Sequence, residues 1–540
     1  MRALLIVASQ ARGQWVMLLA GLLITLAGTL VAVALSGVAG AMMGATGLVL
    51  SAPLLLRLLG PARVVLRYFE RLVSHDALFR AQADMRVWFF RGLAARMAGG
   101  LGMQREGDVL ARLVGDVETQ DVIYMRLLLP LVGAMVLLPL LLVLIGGIDP
   151  ALALLVGLLL ILAGLVLPWA AARGSLAAGD RLARGMAGLR IAALDALHGL
   201  REVRAFGAED RMLEVLAARE GELLEAQRFV AVRGAVVAAG ALLCAQAAIL
   251  AALLAGRGLG AGAVAVVFLV IAAFEAISLL PRAGVQAGHA AAAAARLVQA
   301  ASGPIPLPDP ASPAALPQDF ALRFEGVRFR WLADRAPVFD GLTLDIPAGS
   351  RVAILGPSGA GKSSLAALAL RLAAPEQGSV RLGGVDIADL SAAELRGRIG
   401  WLHQSTYLFD DSIRANLLLA RPEADDAALW AVLEQARIAD LVRTLPDGLD
   451  ARVGEGGRNL SGGQGRRLAL ARALLSEARV LILDEPCAGL DADIEQEFLA
   501  TLNDAGDGRT ILLIAHRLTG VERLDRIYRL TGGVAVAAAG

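Results

Sequence analysis

Lysine is all but missing from this chain. Lys and Arg together number 51, and a single one of them, Lys362, is lysine. A protein that takes arginine for its positive charge everywhere else has a specific need at that position. Cysteine is nearly as scarce. Cys244 sits in an apolar segment and Cys487 far away in a polar one. That pattern excludes a disulfide framework and a zinc spacing, and leaves two buried thiols. Charge is thin: 19% of the residues are charged and the net charge is +1, against about a quarter charged in an ordinary soluble chain. Nothing in that balance argues for a nucleic-acid partner. Aromatics make up only 4%, so alanine, leucine, valine and glycine fill the apolar positions.

What is abundant is apolar length. The chain has 540 residues, 57% of them hydrophobic, and a mean hydropathy of +0.64. The excess lies in the first 300 residues, in runs long enough to cross a bilayer. Six spans are expected: about 14–37, from about 46 past Arg67, a third ending near 127–148, one starting at 151–171, then about 230–255 and about 260–281. The opening "MRALLIVASQARGQWVMLLAGLLITLAG" reads as a retained interfacial elbow helix leading into the first span. Three connections are short: "SGVAGAMMGATG", "IDP" and "AGRGLGAG". The others, 57–126 and 173–233, are long and rich in arginine. Arginine thus marks alternate loops, and the positive-inside rule places those loops and both termini in the cytoplasm. The long loops keep helical periodicity. The spans are therefore expected to extend into the cytoplasm, turning near Gly99–Gly107 and near Phe206–Asp210. Two amphipathic interfacial helices are the alternative.

Six of the 20 prolines fall in "SGPIPLPDPASPAALPQ", residues 302–318. Proline at that density forbids a helix and gives a stiff extended linker. The expected domains are a transmembrane domain over 1–301, this linker, and a mixed α/β domain over 319–540. In the last, "RVAILG" and "RVLILDEP" have the continuous apolar character of buried strands.

The strand "RVAIL" runs into "GPSGAGKSS" and then a helical "LAALALRL". Strand, glycine-rich loop and helix form the setting of a phosphate-binding loop, here Gly356, Pro357, Ser358, Gly359, Ala360, Gly361, Lys362, Ser363 and Ser364. The glycines let N–H groups face a phosphate, and the helix N-terminus adds partial positive charge. Lys362 suits the β/γ-phosphates because its ammonium is a compact point charge on a thin stem. Arginine's wide planar fork does not fit such a cradle. Ser363 would offer its hydroxyl to Mg²⁺. About 120 residues on, "RVLILDEP" puts Asp484 and Glu485 at a strand's C-terminal edge, where open α/β sheets bind ligands. Asp484 suits a water-mediated Mg²⁺ contact. Glu485 suits a general base on the attacking water.

"NLSGGQGRRLALARALL", residues 459–475, resembles the signature motif of ABC ATPases, and the resemblance covers 319–530. It implies that Ser461, Gly462, Gly463 and Gln464 close over ATP held by a partner chain's phosphate loop. It implies that Gln404 is the Q-loop glutamine contacting the metal, that His516 is the switch histidine at the γ-phosphate, and that Asp491 lies in the D-loop. It also implies that Trp331 stacks on adenine where the family usually has tyrosine, and that Glu455 senses the membrane domain. His403 has no role in this reading; surface or packing suffices. Cys487 replaces a common threonine.

One membrane domain and one ATPase domain make half a transporter, and the order resembles type IV ABC exporters. The stretch "RYFERLVSHDALFR", 67–80, is similar to the CydC family, one half of the heterodimeric CydDC exporters; "GDVLARLVGDVETQDVIYMR" and "AAFEA" extend the likeness. The resemblance implies a CydD-like partner and a place in the bacterial inner membrane. It implies ATP-driven export of cysteine or glutathione, supporting cytochrome bd assembly, with haem as a further ligand or cargo. A lipid or drug exporter, and a haem-handling assembly factor, remain as alternatives. Two membrane residues are cargo candidates. Glu275 is either a cargo contact or the structural partner of an arginine on a neighbouring helix. His75, with Arg71, Asp76 and Arg80 nearby, is either a haem ligand or a packed helix residue.

Overall fold

The computed structural model describes residues 2–44, 52–96, 109–110, 112–256, 262–405, 407–487, 492–505 and 508–538. The chain divides into two compact units, 1–97 with 101–304, and 305–540 with 98–100.

The first unit is helical. A short helix Arg2–Gln10 and a 3-10 turn precede the helix Trp15–Gly44, which carries no charged residue. The helix Ala52–Arg96 runs 45 residues. After a π-helical stretch Val122–Leu128 comes Leu129–Gly146, then Pro150–Ile161, continued through Leu162–Val166 into Leu167–His198. The "IDP" turn is tight because Asp149 accepts hydrogen bonds from the N–H groups of Ala151 and Leu152, at 3.0 and 3.1 Å. Pro150 then fills the first helical position, where no N–H is needed. The chain turns at Phe206–Ala208, with Gly207 at φ +55°, and enters the 47-residue helix Glu209–Ala255. The turn expected near Phe206–Asp210 is there; the one expected near Gly99–Gly107 lies outside the described residues. The last span, Gly262–Ile277, breaks at Ser278–Leu279 and resumes as Leu280–Ser302. Pro281 opens that second part, since its ring cannot continue a preceding turn.

Among the described residues five helical stretches are long and apolar enough to span a membrane: Arg2–Met43, Val122–Gly146, Pro150–Ser175, Glu209–Ala255 and Gly262–Ser302. The second expected span is helical as Ala52–Arg96 but falls short in apolarity. Arg57, Arg63, Arg67 and Arg71 fall in its first half. The helices bury a small-residue and leucine core, with Leu137, Ala248, Val266, Val270 and Ala273 fully covered. Leu54, Val143, Leu154 and Leu243 point outward, as a lipid-facing surface requires.

The second unit holds two sheets. One is antiparallel: β1 (Leu322–Phe329), β2 (Phe339–Ile346), β4 (Gln377–Leu382) and β5 (Val385–Asp386), in the order β2-β1-β4-β5. The other runs β10-β9-β3-β8-β7-β6. Its members are β3 (Arg351–Leu355), β6 (Ile399–Leu402), β7 (Val480–Asp484), β8 (Thr510–Ala515), β9 (Arg526–Thr531) and β10 (Val534–Ala537). All pairs from β9 to β6 are parallel. Both faces of β7 are covered, which is why its sequence is apolar without alternation. Leu355 aligns with Ala515, Ile514 with Asp484, and Leu483 with Leu402. The loops leaving β3, β8, β7 and β6 therefore open at one sheet edge.

Candidate nucleotide site and membrane cavity

That edge assembles the polar cluster. Gly359 and Gly361 have φ of +81° and +92°, which L side chains avoid. A Cβ on Gly361 would also run into Val338 and the Phe339 ring. The loop needs glycine there on both counts. Lys362 starts the following helix, is 5% exposed, and donates to the carbonyls of Gly356 (2.9 Å) and Pro357 (3.1 Å). Its Nζ stands 3.9 Å from Glu485 Oε1.

Glu485 is the hub. It is a non-glycine residue at φ +48°, and such backbone costs about 1–3 kcal/mol unless its surroundings hold it. Its N–H donates to the Ile514 carbonyl at 2.8 Å. Gln404 Nε2 donates to its Oε2 at 2.7 Å, and His516 Nε2 lies 2.6 Å from its Oε1. Asp484, beside it, is 1% exposed, and its Oδ2 has no hydrogen-bond partner among the described residues. Burial pushes the Asp484 carboxyl up, opposed by the Ser363 hydroxyl hydrogen bond and by the nearby His403 and Lys362. Five expected residues from four loops, Lys362, Gln404, Asp484, Glu485 and His516, thus meet at one place.

The others are placed as follows. The Trp331 indole is partly exposed, packs edge-on against Phe329 at 5.1 Å, and donates to Ser364 Oγ at 3.0 Å. Ser461 caps the helix Gly462–Leu475. Its N–H donates to Gln464 Oε1 at 2.9 Å, and its hydroxyl accepts from Gln464 N–H at 3.3 Å. Gln464 is thus engaged in its own cap. Ser461 and Gly462 are exposed, and among the described residues Ser461–Gln464 make no side-chain hydrogen bond to the cluster around Glu485. Glu455 is exposed on a 3-10 turn. His403 packs edge-on to Trp401 at 4.8 Å and accepts from Ser405 N–H. Asp491 lies outside the described residues. Arg466, which sequence reasoning passed over, is buried against the main chain of the same cluster. Its position one helical repeat before the buried Leu470 was the available signal.

In the membrane unit Glu275 Oε1 pairs with Arg63 Nη2 at 2.8 Å, so Glu275 has the arginine partner on a neighbouring helix. Both line a cavity of about 420 Å³ with Thr25, Thr29 and Arg67. His75 is exposed and lines an adjoining cavity of about 400 Å³ with Arg67, Arg71 and Arg126. Thr25, Thr29, Arg67, Glu70 and Arg71 are common to both cavities.

An α/β domain with this phosphate loop and carboxylate pair, joined to a bundle of apolar helices, defines an ABC exporter subunit that couples ATP hydrolysis to transport. A family model described as ABC transporter matches residues 339–488. The solved structure "Structure of a bacterial Atm1-family ABC exporter with ATP bound" superposes with a TM-score of 0.85, covering 98% of this chain and 94% of that one at 26% identity. The particular family is narrower. The Escherichia coli (strain K12) "Glutathione/L-cysteine transport system ATP-binding/permease protein CydC" is 36% identical over 474 residues, 86% of this chain and 82% of the relative. Its namesake in Haemophilus influenzae is 31% identical over 88% of this chain and 84% of the relative. The chain belongs to the CydC family of ABC exporters and is an integral membrane protein.

Proposed function

We propose that this chain moves cysteine and glutathione out of the cytoplasm as one half of a heterodimer with a CydD-like partner, in a bacterial inner membrane, with its ATPase domain and both termini cytoplasmic. The assignment of 1–301 to the membrane, 302–318 to the linker and 319–540 to the ATPase domain is part of the same proposal. The cargo reading is supported by the likeness to the two CydC relatives along most of the chain.

The observation that carries the nucleotide reading is the convergence of Lys362, Gln404 and His516 on the one carboxylate of Glu485. In this reading the N–H groups of 356–364 and the Lys362 ammonium hold the ATP phosphates. Trp331 lies beneath the adenine, anchored by Ser364. Water attacks the γ-phosphorus, the bond to the β–γ bridging oxygen breaks, and ADP and phosphate form. Glu485 receives the proton of the attacking water and returns it to phosphate. His516, now on Glu485, would turn to the γ-phosphate. Ser461, Gly462 and Gly463 of one chain would close the site of the other.

Mg²⁺ suits this donor set. Asp484 has a buried oxygen without a partner, Ser363 offers a hydroxyl beside it, and Gln404 keeps its amide oxygen once its nitrogen is given to Glu485. Hard oxygen ligands of this kind hold Mg²⁺, which neutralises charge on the β- and γ-phosphate oxygens. Glu485→Gln tests the reading in the assembled transporter. ATP binding is expected to persist while hydrolysis falls by about a hundredfold or more. Hydrolysis close to wild type would remove Glu485 from its role.

A second reading concerns the membrane cavity. His75 lines it with three arginines, Arg67, Arg71 and Arg126. An imidazole beside guanidinium groups is chemistry that suits haem, with its iron and propionates, as a bound ligand or cargo. Purified protein carrying a haem absorbance band that His75→Ala abolishes would support it. Absence of the band in the wild type, or its persistence in His75→Ala, would contradict it. Glu275, neutralised by Arg63, is a cavity wall in either reading.

A further inference from the structure

Arg466 lies on the buried face of the helix Gly462–Leu475, with 9% of its surface exposed. Among the described residues it forms no ion pair. Its guanidinium is given to main-chain carbonyls instead. Nε donates to Pro486 O at 2.9 Å. Nη2 donates to Asp484 O at 3.2 Å and also to Glu485 O. Nη1 donates to Gln404 O. One side chain therefore holds three successive carbonyls of the carboxylate segment and one of the glutamine loop. Only a planar fork with five N–H groups can span four acceptors in this way.

The backbone it holds is the strained one. Glu485 sits at φ +48°, where a non-glycine residue stays only if its neighbours fix it. Its carbonyl and both flanking carbonyls are turned toward Arg466. The N-cap of the same helix, Ser461, lies five residues earlier, and Ser461 and Gly462 are exposed. A helix of 14 residues moves as a rod, so a shift at its first turn is carried to Arg466.

We propose that Arg466 is a positioning residue that links the signature turn to the catalytic carboxylate of the same chain: contact of Ser461–Gly463 with a partner's nucleotide is transmitted through Arg466 to Glu485 and Gln404. This rests on the reading of Glu485 and Ser461–Gly463 given above. In a pair of chains the link gives each ATP site knowledge of the other. It also explains why an arginine is buried here without a carboxylate partner. The carbonyls are the acceptors, and their geometry is what the charge fixes.

The test uses the assembled transporter, comparing wild type, Arg466→Lys, Arg466→Gln, Ser461→Ala, the Ser461→Ala/Arg466→Lys pair and Glu485→Gln. ATP turnover and binding of a fluorescent ATP analogue are both measured. Arg466→Lys keeps the buried charge but reaches too few carbonyls. It is expected to lower kcat by about tenfold, with ATP affinity within about twofold of wild type. The double variant is expected to lose no more than the worse single one, because both act on one step. If Arg466→Lys keeps wild-type kcat, or if its loss follows lost ATP binding, Arg466 is a structural side chain only. If the losses of the double variant multiply, the transmission is wrong. Should Arg466→Gln fail to fold, Arg466→Lys decides. A Glu485→Gln transporter that still hydrolyses ATP overturns the underlying reading as well. A dead Glu485→Gln with a normal Arg466→Lys overturns this inference alone.

Discussion

At the scale of single residues the account turns on where charge is placed. Lys362 is the one lysine in the chain, and it stands 3.9 Å from Glu485 with its ammonium on two loop carbonyls. Lys362→Arg keeps the charge and loses the fit. It is expected to lower ATP turnover by about a hundredfold or more, measured against wild type in the same membranes. Cys487 gives a second expectation. Burial pushes its thiol up from 9.0 to about 12, with the carboxylates Glu495 and Glu522 adding and Arg466 opposing. A raised thiol pKa means that folding favours the protonated form. The stabilisation it gives is complete below pH about 9 and is lost as pH rises from there to about 12. Alkylation at pH 8 should therefore be roughly a thousandfold slower than for free cysteine, and should become fast on unfolding. Fast labelling of the folded protein would contradict the burial. That Asp484, Glu485, Lys362, Gln404 and His516 would meet was legible in the sequence because each stands in a fixed pattern beside an apolar strand. Arg466 was not. Its partners are backbone carbonyls, and carbonyl direction depends on the φ of Glu485, which no residue type announces.

At the scale of elements the membrane helices were legible from apolar runs, and their junctions from proline and aspartate: Asp149 with Pro150, and Pro281 after the break at Ser278–Leu279. The Ala52–Arg96 helix was legible as a helix but not as a span of ordinary composition. Arg63, Arg67 and Arg71 line the cavities, so three of the residues that lower its hydropathy give the interior its charge. Close helix contacts were not legible. Gly40 in the helix Trp15–Gly44 lies so near Ala265 that a Cβ would meet that residue's backbone, and Gly284 stands likewise against Pro168. Small residues at such crossings let membrane helices approach. Gly40→Leu is expected to force apart the helices Trp15–Gly44 and Gly262–Ile277, lowering stability by about 1–3 kcal/mol. A drop in the midpoint of thermal unfolding in detergent would register it. An unchanged midpoint would mean that the crossing is loose.

At the scale of the whole molecule, the chain brings one phosphate loop and one signature turn. Among the described residues the side chains of Ser461 and Gln464 hydrogen-bond only within their own helix cap, while Lys362 and Glu485 belong to another cluster. In the function proposed above, a second chain's signature turn completes the ATP site. Division into two compact units was legible from the proline run and from the change in composition around it. Cargo was legible only through resemblance, since both cavities mix arginine and threonine, which suit many small anions, with the carboxylate of Glu70. The most direct measurement is transport itself. Inside-out vesicles carrying this chain with the proposed CydD-like half-transporter are given labelled cysteine or glutathione, with and without ATP, beside vesicles carrying Glu485→Gln. The account predicts ATP-dependent accumulation of thiol that the substitution abolishes. ATP hydrolysis without any accumulation of either thiol would contradict it.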